Sequence, residues 1–230
     1  DYAAHNSYIG KKVCAGKDCY FENSFILGDS SVGEKTILSC VYLRDSEVPA
    51  EIVLHGLLLK GQKHIVRIYG IHDNPKDLLA PGHRFLGEDA EVFLRAAGMD
   101  PDTYTTLWET PIYPVCESRY EAVQTALIIY RMAKGTASQD EIRRWKNSPK
   151  MSLNEADTEA LYEWLHELEN RILSSRFIWA LEDGVYYLEA LKLLGNRGIT
   201  EQVYQNLLHD IQDADDSLKI RVYYAISRYM

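Results

Sequence analysis

Residues 1–45 carry a short repeat, and it restricts the fold more than any other feature of the chain. Ile9-Gly10, Ala15-Gly16, Phe21-Glu22 and Leu27-Gly28 sit six residues apart. The register then slips by one residue to Val32-Gly33 and resumes at Leu38-Ser39. A small or aliphatic residue followed by glycine at every sixth position is the pattern of a hexapeptide-type parallel β-helix. Each six-residue side of a triangular coil turns one side chain inward, and glycine lets the backbone turn at the corner. Like coils then stack and hydrogen-bond to one another. Asn6, Asn23, Asp29, Ser30 and Ser31 fall between the repeat positions, where corners and outer faces take polar residues. The competing reading is a few antiparallel strands with glycine turns, because Ala15-Gly16, Phe21-Glu22 and Leu38-Ser39 depart from the aliphatic-glycine form. The repeat covers about two coils, and a stable stack needs roughly three, so further coils are expected before Asp1.

The β character continues. Ile52–His55 and Leu57–Leu59 read as one buried strand interrupted by Gly56, and His64–Tyr69 alternates like a half-exposed strand. Gly70–Pro75 reads as a turn. From Gly87 the period becomes helical. A short helix over 88–97 ends at Gly98, Leu107–Val115 is a buried extended connector with two prolines, and 119–134 is a helix stopped by Gly135. Ser138…Glu141 and Ser152…Glu155 are capping boxes opening helices over 139–147 and 153–174, the latter with a stripe of Leu161, Leu165, Leu168 and Ile172. Further helices are expected over 176–194, 201–213 and from 218 onward. The expected fold is therefore mixed β then α, a left-handed parallel β-helix of hexapeptide-like coils followed by an all-helical array. Its parts are 1–76 for the coils and terminal strands, 77–115 for a connector with a short helix, and 116–230 for the helical domain.

The 34 acidic residues outnumber the 25 basic ones, a net charge of −9. That balance argues against nucleic acid or an anionic membrane as partner, since both want a basic face. No apolar run approaches the roughly 20 residues of a membrane span, and the N-terminus has no signal-peptide pattern. It also lacks an initiator methionine, which suggests a piece of a longer chain. Four cysteines are too few for a disulfide scaffold, and Cys14 and Cys19 lack a second pair, so no zinc site is expected. The expected compartment is the reducing cytoplasm.

No phosphate-binding P-loop occurs, since Gly61-Gln62-Lys63 and Gly10-Lys11-Lys12 lack its other members. Dinucleotide, zinc-protease and nucleophile-elbow motifs are absent too. His55, in an apolar strand, reads as a hydrogen-bonded core histidine, with a general base as the alternative. Cys116 stands at a helix start, which would lower a thiol pKa, yet nothing in the sequence supplies a base, so a structural role is expected. The densest polar cluster is His64, Arg67, His72, Asp73, Asn74 and Lys76. Arg67 and Lys76 are candidates to hold a phosphate, and Asp73 with Asn74 to bind sugar hydroxyls, with His72 beside them. The alternative is an Asp-Asn-Pro turn with solvated flanks.

Three segments in order, Gly28–Gly33, Val53-Leu54-His55-Gly56-Leu57 and Tyr69–Lys76, together with Leu107–Cys116, resemble the fucokinase / GDP-L-fucose pyrophosphorylase family. The similarity runs from about Asn6 to about Ser152. The resemblance implies a salvage enzyme that phosphorylates L-fucose with ATP, joins fucose-1-phosphate to GTP, or does both. In bifunctional members a nucleotidyltransferase domain comes first and a GHMP-type kinase last, with coils and helices between. Their glycine-rich catalytic loops have no counterpart here, so no catalytic residue is carried over. The resemblance thus implies a non-catalytic scaffold between those two domains, without cofactor of its own, in a parent that uses ATP, GTP and a divalent metal such as Mg. A homo-oligomer is a further expectation. A stand-alone hexapeptide-coil transferase acting on a sugar or sugar nucleotide, and a helical interaction module, are the alternatives.

Overall fold

A computed structural model describes residues 2–174 together with residues 201, 204, 205, 208, 209, 212, 216, 219, 220 and 223. Two compact units are present, Asp1–Ala160 and Leu161–Met230.

The first unit begins as a parallel β-solenoid of three coils. The first coil is β1 (Tyr2–His5), β2 (Tyr8–Ile9) and β3 (Cys14–Ala15). The second is β4 (Cys19–Glu22), β5 (Phe25–Leu27) and β6 (Ser31–Val32), and the third β7 (Ile37–Ser39), β8 (Tyr42–Arg44) and β9 (Glu47–Val48). The strands stack in parallel as β1-β4-β7, β2-β5-β8 and β3-β6-β9, which makes the three walls. The parallel coils expected from the repeat are present, and the antiparallel alternative is excluded for this stretch.

Register shows which side chains fill the stack. One ladder runs Ala4, Phe21, Leu38, Leu54, a second Ile9, Ile26, Leu43, and a third Ala15, Val32, Val48. Phe21, Ile26, Leu38, Leu43 and Leu54 are fully buried. Each such side chain contributes roughly 1.5–3 kcal/mol by leaving water. Six residues separate the inward positions on two sides of the second coil, but only five separate Phe21 from Ile26. The repeat therefore placed Leu27 inward one residue too late. Asn23 turns the corner of this shorter side in a left-handed backbone, φ 49°.

Of the glycines that the repeat placed at corners, Gly28 turns one, and the other left-handed corner positions carry side chains. Asn6, Asn23 and Cys40 occupy the left-handed region at one corner, Asp18, Lys35 and Glu51 at another, and Gly28 and Asp45 at the third. Stacked polar groups hold them. Asn6 Nδ2 donates to Asn23 Oδ1 at 2.7 Å, and the buried Ser24 hydroxyl accepts from the Val41 N–H at 3.2 Å. Gly16 and Gly33 serve close approach instead. A Cβ on Gly33 would lie 2.3 Å from the Ala50 nitrogen in the next coil, and one on Gly16 2.5 Å from that of Glu34.

The fourth level is β10 (Ile52–Leu59), which pairs in parallel with β7 and antiparallel with β11 (Lys63–Gly70) through the turn at Lys60–Gln62. Gly56 does not interrupt β10; it lets the strand pass Cys40, whose carbonyl oxygen would be 2.2 Å from an added Cβ. Beyond β11 come the hairpin β12 (Arg84–Phe85) and β13 (Glu88–Asp89), then α1 (Ala90–Ala96). The connector contains a 3-10 turn at Leu107–Glu109 and β14 (Tyr113–Pro114), and its Cys116 bridges back to His64 through paired backbone bonds of 2.8 Å. Next is α2 (Arg119–Ala133), which packs on β11, β10 and β8 and closes that end of the solenoid with Val123, Ala126, Leu127 and Ile129. Then α3 (Gln139–Asn147) is opened by the Ser138–Glu141 capping box, β15 (Lys150–Met151) pairs with β14, and α4 (Leu153–Ser174) starts where Ser152 and Glu155 exchange bonds. Trp145 anchors α3 through its indole N–H on the Ile112 carbonyl, 3.0 Å.

In the second unit the described residues 161–174, 201, 204, 205, 208, 209, 216, 219, 220 and 223 are helical. The helix expected over 176–194 and the side chains of Leu165, Leu168 and Ile172 lie outside the described residues, as do parts of the helices expected over 201–213 and from 218. No described helix is long and apolar enough to cross a membrane.

Gly33→Ala is expected to destabilise the protein by about 2 kcal/mol, the cost of forcing two backbones apart in a packed stack. Gly82→Ala, with open space around it at φ 88°, is expected to cost about 1 kcal/mol from the left-handed backbone alone. Urea unfolding of both variants measures the difference, and equal losses would contradict the stacking argument.

Candidate functional site

The polar cluster singled out in the sequence divides into two places. Arg67 stands on β11 opposite His55. Its guanidinium lies 5.4 Å from the centre of the Trp108 ring and 3.3 Å from Asp157 Oδ1 on α4. Lys76 Nζ sits 4.5 Å from the centre of the same ring. Arg67 and Lys76 therefore do converge, but on an indole. A cation over a tryptophan face is worth roughly 0.5–2 kcal/mol, more when water is excluded. The Trp108 backbone N–H donates to the Pro75 carbonyl at 3.0 Å, so the turn and the tryptophan are fixed together. Trp108 was visible in the sequence as part of a distinctive segment; Asp157 carried no signal, because only packing brings α4 to β11.

Asp73 is a clamp. Its Oδ2 accepts the Gly70 N–H and the Leu86 N–H, both at 2.6 Å. That holds Leu86 in the left-handed region, φ 54°, at the tip of the β12–β13 hairpin. Asn74 donates to Asp77 at 2.7 Å on the surface, and His72 is exposed. The turn reading is thus realised at Asp73-Asn74-Pro75, whatever these side chains also bind. His64 lies elsewhere, beside Arg119 in a separate cavity of about 130 Å³.

His55 occupies an outward row, Glu22, Ser39, His55, Arg67, across the five-stranded wall. Burial, with the Arg67 charge adding to it, pushes its ring down to about 4. No described residue hydrogen-bonds the ring, so the expected hydrogen-bonded core histidine is a half-buried, neutral one. Cys116 is buried, 3.5 Å from Thr125 Oγ1, and burial pushes its thiol up. That is the structural cysteine expected, and a poor nucleophile. Burial likewise raises Tyr113, whose hydroxyl donates to the Ile68 carbonyl at 3.2 Å.

His72 and Asp73 line a cavity of about 450 Å³ where the solenoid corner at Glu51, the end of β11, the β12–β13 hairpin and the C-terminus of α2 meet. Glu51, Arg84, Tyr130 and Lys134 complete its polar lining. Sequence reasoning missed these four, since they are far apart in the chain and each is ordinary in its own segment. Among the described residues no group of His, Cys, Asp and Glu is placed to hold a metal.

A parallel β-solenoid closed by helices is the class this fold defines. Residues 2–118 match the Fucose pyrophosphorylase domain, and the chain belongs to that family. This agrees with the resemblance to fucokinase / GDP-L-fucose pyrophosphorylase, a family of L-fucose salvage. No curated protein and no solved structure matches the chain.

Asp73→Ala removes one oxygen that serves two backbone donors and is expected to cost about 2–3 kcal/mol in urea unfolding, while Asp73→Asn, which keeps an acceptor, loses less than half of that. A second expectation concerns pH. His55 is held below its unfolded pKa, so the unfolded chain binds the extra proton first. Its contribution to stability is complete above about pH 6.5 and declines as pH falls towards 4. Unfolding midpoints at pH 4.5 and 7.5 should therefore differ less in His55→Gln than in the parent, and an unchanged difference would contradict the burial of that ring.

Proposed function

We propose that this chain is the coil-and-helix region of an L-fucose salvage enzyme that makes GDP-L-fucose, and that it joins a nucleotidyltransferase domain to a GHMP-type kinase domain without catalytic residues of its own. The carrying observation is what its reactive side chains already do. Asp73 is spent on two backbone amides, Cys116 is buried beside Thr125, and Arg67 is held between Trp108 and Asp157. Those are the tasks of a rigid spacer. In this reading ATP, GTP and the divalent metal belong to the flanking domains. The first coil offers a surface for one of them: β1–β3 bond a coil on one side only, and Tyr2 is half exposed. Four free cysteines suit a reducing cytoplasm.

A coil-borne transferase acting through His55 has one observation on its side, the neutral ring at pH 7. A single assay separates the two readings. The isolated chain is given GTP with L-fucose-1-phosphate, then ATP with L-fucose, and product is measured. No product, together with co-elution with the separately expressed flanking domains on size exclusion, is the expected result. Product that disappears in His55→Ala would overturn the scaffold reading in favour of the transferase.

A further inference from the structure

The donors gathered around Trp108 exceed the acceptors offered to them. Arg67 holds its guanidinium 5.4 Å from the centre of the indole, and Lys76 its ammonium 4.5 Å from it. The Arg67 side chain is only 14% exposed, and its Nε is buried with no hydrogen-bond partner. Its charged contact is Nη1 to Asp157 Oδ1, 3.3 Å, and that carboxylate is itself 38% exposed. Among the described residues Lys76 pairs with no carboxylate, and the indole N–H of Trp108 meets no acceptor. Two positive charges therefore share one negative charge at this place. A buried charged donor without an acceptor is costly, so such a group is either hydrated or kept for a ligand. The chemistry of the donor set selects among ligands. A hydroxyl group both donates and accepts, whereas an oxyanion only accepts and brings the missing negative charge. The two cations also take up the indole face on which a base or a sugar ring would stack. What fits is small.

We infer that Arg67, Lys76 and Trp108 form a binding site for a small tetrahedral oxyanion, inorganic phosphate or sulfate. The donors are placed in advance by the backbone. Arg67 is set on β11 by the ladder to β10, opposite His55. The Trp108 backbone N–H donates to the Pro75 carbonyl at 3.0 Å, which fixes the next residue, Lys76, beside the ring. Asp157 competes with the anion for the same guanidinium, so the bound oxyanion shares Arg67 with the first turns of α4. The site goes beyond the scaffold reading and does not depend on it: the anion is held where β11, the turn after it and α4 meet, with no bond made or broken.

The test is calorimetry and phosphorus NMR on the 230-residue chain with inorganic phosphate, and calorimetry with sulfate, at fixed ionic strength. L-fucose-1-phosphate and GMP serve as bulky phosphate esters. Saturable binding of phosphate with a dissociation constant on the order of 1 mM is expected, weak because the chain as a whole carries a charge of −9. Lys76→Gln should weaken it about fivefold and Lys76→Arg should restore it. Asp157→Asn removes the competing carboxylate and should tighten binding about threefold, a gain that a purely structural role of these residues would not give. Lys12→Gln, at an exposed lysine 3.3 Å from Asp29, should change nothing. Lys76 is exposed, so its variants keep the fold, and far-UV circular dichroism with the urea midpoint verifies this for each protein. No saturable phosphate binding, binding indifferent to Lys76→Gln, an equal loss in Lys12→Gln, weaker binding in Asp157→Asn, or an ester held more tightly than inorganic phosphate would each overturn the assignment. None of these results alters the turnover assay, so the oxyanion site and the scaffold reading can fail separately.

Discussion

Backbone hydrogen bonding between successive coils is the constraint on which the first unit rests. A strand of two or three residues, such as β2 or β6, has no stability alone. It persists because the coil beside it presents a matching row of carbonyls and amides, as when Gly16 N donates to Val32 O and Gly33 N to Val48 O, both at 2.8 Å. This spacing brings neighbouring backbones so close at Gly16, Gly33 and Gly56 that a side chain has no room. The same spacing stacks Phe21 on Ala4 and Leu38 on Phe21, so interior packing and backbone pairing reinforce each other. The corners bear the cost. Lys35, Cys40 and Glu51 adopt a backbone that disfavours side chains, roughly 1–2 kcal/mol each, and each donates its backbone N–H to the coil before it, Lys35 to the Lys17 carbonyl at 2.8 Å, Cys40 to that of Glu22 and Glu51 to that of Glu34, both at 2.9 Å.

A stack of this kind ends abruptly, and the chain deals with one end directly. Strand β10 leaves the coil, reverses into β11, and α2 lies across the exposed interior. The residues that first looked like a ligand cluster lie at this closure because the turn after β11 must connect the solenoid to everything downstream. Asp73 ties the turn to the hairpin, and Arg67 ties β11 to Trp108 and α4. Closure also creates the one feature among the described residues that joins corner, turn, hairpin and helix end in a single lining, the cavity beside Glu51 and Arg84.

Much of the fold was legible in the residues. Two capping boxes fixed the starts of α3 and α4, because a serine hydroxyl and a glutamate three residues on satisfy local amides with no help from the rest of the molecule. Gly98 and Gly135, both in the left-handed region, mark the ends of α1 and α2 for a similarly local reason. The six-residue rhythm announced coils, since any coil must return an apolar side chain to the axis at each side. The site was much less legible. Arg67, His72, Asp73, Asn74 and Lys76 are neighbours in sequence, but β11 and its turn send Arg67 and Lys76 to Trp108, and His72 and Asp73 to the cavity.

The kind of architecture, the order β then α, the ends of α1 to α3 and the family could all be read from the residues, because each rests on short-range spacing or on a local motif. The coil register could not, since one five-residue side shifts the inward residue from Leu27 to Ile26. Nor could the task of each glycine, or the gathering of Glu51, Asp73, Arg84, Tyr130 and Lys134 into one lining. Those outcomes depend on what the neighbouring coil, hairpin or helix occupies, and that is set by packing between segments that are distant along the chain.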